Sequence, residues 1–152
     1  MSRFTDVLLV SPLGDGRTWI TRREFGYDIG AEGSGNTIDV PIGFMTDFAS
    51  VPRPFWIFIP QWGKYGNAAV IHDYCYWAQT RSRKESDKIF FEAMGVLGVS
   101  SAARYLMYWA VKYFGSFAWN GNKRRKAKKI GKFAVDRTIK SIEKPAALRV
   151  KL

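Results

Sequence analysis

Asn67-Ala68-Ala69-Val70-Ile71-His72-Asp73-Tyr74-Cys75-Tyr76-Trp77-Ala78-Gln79 decides the fold, and it holds the only histidine among 152 residues. The pattern is helical. Ala69, His72 and Tyr76 fall at i, i+3 and i+7, which sets His72 and Tyr76 on one face, a turn apart. An imidazole with an ordinary pKa of about 6.5 suits proton transfer near neutrality. Asp73 beside it offers a metal ligand, and Tyr76 offers an orienting hydrogen bond. A histidine that only fills a core or capping position would read the same way, and the helix alone leaves both readings open.

Downstream, Ser82-Arg83-Lys84-Glu85 is a capping box that opens a second helix through Ile89, Phe90, Ala93, Met94 and Leu97, ending near Gly98. A third helix is expected from Ala102 to about Tyr113, with Gly115 as its terminator. Residues 80–82 form a short connection, which favours an antiparallel return and carries Asp87 toward the His72/Tyr76 face. Upstream, Val7-Leu8-Leu9-Val10 reads as a short strand. The alternation of Phe25, Tyr27 and Ile29, and of Ile38, Val40 and Ile42, around the turn-rich Gly30–Asn36 connector reads as a β-hairpin. In Gly43–Pro54 the closely spaced Pro52 and Pro54 forbid a helix and imply an ordered, extended loop. The expected fold class is α+β: an N-terminal β-hairpin and ordered loop, then a three-helix core with a basic C-terminal tail. The expected division is one domain over 1–120 and a basic arm over 121–152.

Composition narrows the chemistry. With 47% hydrophobic and 16% aromatic residues the chain can fill a core. No run of 18 uncharged apolar residues is present and the start lacks an apolar signal region, so neither a transmembrane segment nor export through a signal peptide is expected. The expected location is a virion or the host cytoplasm. One cysteine, Cys75, excludes an internal disulfide framework. One His and one Cys leave little for a zinc site of the usual kind, and they rule out metal-dependent phosphohydrolases that need several histidines. The charge is uneven: residues 121–152 hold 12 of 24 Lys+Arg and 2 of 13 Asp+Glu.

The candidate constellation is therefore His72, Tyr76 and Asp87. A carboxylate that accepts one imidazole N–H fixes the tautomer and stabilises the imidazolium formed when the other nitrogen takes a proton from water. Asp73, pointing elsewhere, is the candidate ligand for a hard cation such as calcium, with backbone carbonyls from the Gly63–Gly66 loop alongside. Asp47, in Thr46-Asp47-Phe48-Ala49-Ser50, either caps local backbone N–H groups or is a second carboxylate near His72.

Two resemblances follow. His72-Asp73-x-x-Tyr76, with Asp87-x-x-Phe90 on the next helix, resembles the catalytic helix pair of secreted and parvoviral phospholipases A2 over residues 60–95. That resemblance implies a water-activating role for His72, a calcium ligand in Asp73 and orienting roles for Tyr76 and Asp87. It stops short of the family's glycine-rich calcium loop and its helix-linking disulfides, which are not reproduced. More broadly, over residues 17–118, Val40-Pro41-Ile42-Gly43-Phe44-Met45-Thr46-Asp47-Phe48-Ala49-Ser50-Val51-Pro52, Tyr65–Asp73 and Ser86–Phe90 resemble domain of unknown function 1353, a family found mainly in phages and prophages. That resemblance implies a phage setting and no defined chemistry.

Three segments remain open on sequence grounds. Tyr105, Leu106, Met107, Tyr108, Trp109, Val111, Tyr113 and Phe114 make the third helix apolar nearly all round, which fits burial in a core or a partner or lipid surface. Phe55–Ile59, between prolines, raises the same choice. Lys123, Arg124, Arg125, Lys126, Lys128 and Lys129 fit a solvated tail or a contact with other phage structural proteins, nucleic acid or anionic lipid. Phe133, Val135, Ile139 and Ile142 interrupt the basic run and favour a docking arm. The expected function is a virion component, in the tail or tail tip, with a non-catalytic His/Asp/Tyr network. The alternative is a phospholipase A2-like, calcium-assisted ester hydrolase acting on lipid.

Overall fold

A computed structural model of the chain describes residues 1–48 and 65–128. Pro52–Pro54, Phe55–Ile59, Gly63, Lys129 and the apolar residues of the expected docking arm lie outside the described residues. The architecture is α+β: six short strands, β1 (Arg3–Phe4), β2 (Val10–Pro12), β3 (Trp19–Thr21), β4 (Phe25–Asp28), β5 (Thr37–Val40) and β6 (Met45–Thr46), then three helices, α1 (Gly66–Ala78), α2 (Arg83–Val96) and α3 (Ser101–Ala127).

The strands form two antiparallel sheets of order β1-β4-β5 and β2-β3-β6. Phe25 faces Val40 and Tyr27 faces Ile38 across the β4–β5 pair, whose inward side chains enter the core. Gly26 lies between them because a Cβ there would meet Asp39 Oδ1 and Ile38 O, each at 2.9 Å. Thr21 joins the sheets: its N–H donates to Phe44 O at 3.0 Å, and its hydroxyl donates to Pro41 O at 2.8 Å. A lone hairpin is thus too simple a description of the N-terminal half. The strand expected at Val7–Val10 starts instead at Val10, with Val7 and Leu9 exposed.

α1 is the central helix. Ala68 to Asp73 and Cys75 to Trp77 are all buried, as expected of a helix apolar on every side. α2 begins on the capping box, with the Ser82 side chain accepting from Glu85 N–H and the Glu85 carboxylate accepting from Ser82 N–H. α3 corrects the expectation that Gly115 ends the third helix, for it runs unbroken to Ala127. Residues 121–127 thus continue a helix packed on the domain. Nor is α3 buried all round: Met107, Ala110 and Val111 are buried, while Tyr105, Trp109, Tyr113 and Phe117 are exposed.

A buried histidine–carboxylate–phenol cluster as candidate functional site

The cluster is assembled by helix periodicity. One turn separates His72 from Tyr76, and their ring centroids lie 4.1 Å apart. α2 returns beside α1 after the short connection and brings in Asp87. Its Oδ1 accepts from the Tyr76 hydroxyl at 2.6 Å and lies 3.1 Å from His72 Nε2. Its Oδ2 faces Arg83, one turn earlier on α2, at 3.4 Å. That guanidinium also donates to Lys112 O on α3 at 3.0 Å. Phe90 stacks on the imidazole with centroids 4.7 Å apart.

All three central groups are shut from solvent: His72 is 1% exposed, Asp87 3% and Tyr76 4%. Burial, then the bond to Asp87, pushes the Tyr76 phenol well above its ordinary range, which keeps it a proton-bearing donor. With Nε2–H given to the carboxylate, the network assigns the lone pair to Nδ1. That nitrogen has no hydrogen-bond partner among the described residues. A buried acceptor left unmade costs about 1–3 kcal/mol, so its persistence calls for a reason.

α3 closes the back of the cluster. A Cβ on Gly115 would collide with the Tyr76 hydroxyl. Asn122 Nδ2 donates to Tyr76 O at 3.2 Å, and Gln79 Nε2 donates to Trp119 O at 2.9 Å. On sequence grounds Arg83 is only part of the capping box, Phe90 only an apolar motif position and Gly115 only a helix end, none of them a contact of this cluster. The signal for Arg83 was present in its i, i+4 spacing to Asp87. Nothing local marked Gly115 as a contact.

The other candidate residues lie apart from this cluster. Asp73 is buried and accepts a hydrogen bond from the Thr46 hydroxyl on β6. Among the described residues of its motif, Thr46 (1% exposed) and Phe48 are buried, whereas Asp47 is exposed. The carboxylate that meets His72 is Asp87. Gly66 is the first residue of α1. Among the described residues no group of three His, Cys, Asp or Glu side chains could hold a metal, and one Asp73 oxygen is already engaged by Thr46. The described donors therefore do not assemble a calcium site. Cys75 is buried, with its thiol pushed up to about 12 by burial, which removes it as a nucleophile. Lys123, Arg124, Arg125 and Lys126 lie exposed on the last turns of α3, with Lys128 at its C-cap. Lys126 Nζ donates to Ala78 O at 2.9 Å. No helix among the described residues is long and apolar enough to cross a membrane.

Comparison with known proteins places this geometry in a family. Residues 19–111 match the family described as Protein of unknown function (DUF1353). The uncharacterized protein y4jT of Sinorhizobium fredii (strain NBRC 101917 / NGR234) is 35% identical over 94 residues, covering 60% of this chain and 27% of its own length. The uncharacterized protein y4iH of the same strain is 31% identical over 110 residues, covering 70% of this chain and 44% of its own length. The chain thus spans less than half of either relative. No solved structure matches it.

Proposed function

The chain belongs to the DUF1353 family, and we propose that it acts in a phage setting and that His72 is the general base of a hydrolase, with phospholipase A2-like action on ester lipids. One observation carries the reading. Asp87 Oδ1 lies within hydrogen-bond reach of both His72 Nε2 and the Tyr76 hydroxyl, while Nδ1 is left without a partner among the described residues. Nδ1 then takes a proton from water as the water attacks an ester carbonyl. Asp87 stabilises the imidazolium, and Tyr76 and Arg83 hold Asp87 in place. The imidazolium returns its proton to the leaving alkoxide. Because His72 is 1% exposed, turnover requires it to be uncovered.

A second reading keeps the same residues without chemistry. Here the chain is a virion component of the tail or tail tip, and the cluster serves to lock α1, α2 and α3 together. The burial of all three groups favours it. Fatty-acid release from mixed phosphatidylglycerol/phosphatidylcholine vesicles, with and without calcium, separates the two. The hydrolase releases fatty acid, and His72→Gln and Asp87→Asn abolish release while staying folded. No release by folded wild type leaves the structural reading, which mass spectrometry of purified particles then tests by presence and copy number.

A further inference from the structure

Tyr105, Trp109, Tyr113 and Phe117 follow one another at four-residue intervals along α3 and are 55%, 44%, 65% and 79% exposed. Each step of four advances about 40° round the helix, so the stripe stays within a sector of roughly 120° and runs about 18 Å along the axis. Met107, Ala110, Val111 and Asn122 occupy the buried side. Aromatic surface of this extent left in water marks an interaction face.

Charge identifies what that face meets. Ser101–Ala127 contains no Asp or Glu, while Arg104, Lys112, Lys123, Arg124, Arg125 and Lys126 supply six cations. Lys123 and Arg124 fall in the same roughly 120° sector as the aromatic stripe. Lys112 Nζ sits 4.4 Å over the Trp109 ring. We propose that this face of α3 docks on an anionic phospholipid bilayer. The aromatic rings sit at the boundary between headgroups and acyl chains, and the terminal cations pair with lipid phosphates. A second copy of this chain would bring its own acid-free helix against the first, and the like charges would repel. Stacking on nucleobases is disfavoured because Trp109 and Tyr113 already stack on each other, 5.5 Å apart and inclined by 16°. The inference is independent of the hydrolase reading, although it would bring that site to its lipid.

The test is co-sedimentation of the full chain with vesicles of ether-linked phosphatidylglycerol and phosphatidylcholine, whose lack of ester bonds separates binding from hydrolysis. Binding is expected to anionic vesicles and to fall toward background on phosphatidylcholine alone. The double substitution Tyr113→Ser/Phe117→Ser, at exposed positions and checked for retained helicity, should weaken binding about tenfold. Lys123→Gln/Arg124→Gln should do the same. Undiminished binding by the folded aromatic variant overturns the proposal in favour of attraction by the basic residues alone. Absence of wild-type binding to anionic vesicles at low salt, or binding only to a control oligonucleotide, overturns it outright.

Discussion

The Tyr76 hydroxyl occupies the space that a side chain at Gly115 would need, so the phenol of α1 is set against the backbone of α3. This is why a glycine stands in the middle of a long helix. Gly115→Ala should lose about 1–3 kcal/mol by overpacking, partly offset by about 1 kcal/mol of helix propensity. The bond from Tyr76 to Asp87 is the first to give. In a Tyr76→Phe background the oxygen is gone, and Gly115→Ala should cost less. A double-mutant cycle by urea denaturation reads the coupling, and equal costs in both backgrounds would show the contact to be unimportant.

Asp87 and His72 should respond very differently to removal. Asp87→Ala strands the Tyr76 hydroxyl and the imidazole N–H in a buried site, and a loss of about 3 kcal/mol is expected. His72→Phe deletes the unpartnered Nδ1 and keeps the stacking on Phe90, while Tyr76 still serves Asp87. The larger ring adds some overpacking, so the cost should be about 1 kcal/mol, well below that of Asp87→Ala. A catalytic histidine tolerates that asymmetry, because stability and activity are separately supplied. A loss for His72→Phe as large as for Asp87→Ala would mark the histidine as structural.

The parts legible in the sequence are those set by short-range rules. The capping box of α2 needs only Ser82 and Glu85, and the meeting of His72, Tyr76 and Asp87 needs only helical spacing and a short connection. What escaped depends on contacts distant in sequence. Gly115 read as a helix end because its local penalty, about 1 kcal/mol, was visible while the Tyr76 contact that requires it was not. The alternation of the four-residue strands β4 and β5 was legible, but the strands of two or three residues, tied through Thr21, fall below any periodicity window. In the 46–50 motif the charged Asp47 drew attention, yet it is exposed, and the neutral Thr46 is buried and donates to Asp73.

Alkali should unfold the protein through its buried weak acids. The Cys75 thiol is raised by burial from 9.0 to about 12, and the Tyr27 and Tyr76 phenols are raised from 10.0, again chiefly by burial. Between the ordinary and raised values the unfolded chain has lost these protons and the folded chain has kept them. Stability is therefore full below about pH 9 and declines as pH climbs toward about 12. Chemical denaturation at stepped pH should show the midpoint falling across that window. A flat profile would contradict the burial of these groups. At pH 8 the native thiol should also resist alkylation that the unfolded chain accepts.

Calcium and the Thr46–Asp73 bond make opposite demands on one carboxylate. If Asp73 is a ligand, calorimetry should find binding no tighter than about 10⁻⁴ M, as expected for a site with few charged donors. Thr46→Val would then remove a donor that competes with the cation and strengthen binding, and Asp73→Asn would abolish it. Thr46→Val should also cost about 1–2 kcal/mol in metal-free protein by removing a buried hydrogen bond to the Asp73 carboxylate. Absence of heat at millimolar calcium, together with that stability loss, would assign Asp73 to anchoring β6 on α1.

Truncation distinguishes the end of α3 from the chain beyond it. Asn122 holds Tyr76 O from a buried position, and Lys126 reaches Ala78 O, so the last turns of α3 brace the C-terminal half of α1. Ending the chain after Asn120 removes both bonds and exposes the end of α1, and a loss of about 1–3 kcal/mol is expected. Ending it after Lys128 keeps every described contact and should leave the melting temperature close to that of the full chain. The basic residues divide at the same place. Lys123 to Lys126 stay with the shorter protein, so vesicle binding that runs through α3 survives truncation after Lys128, although weakened by the cations lost from residues 129–152. Complete loss of vesicle binding in that variant, with its melting temperature unchanged, would move the membrane contact off α3 and onto the residues removed.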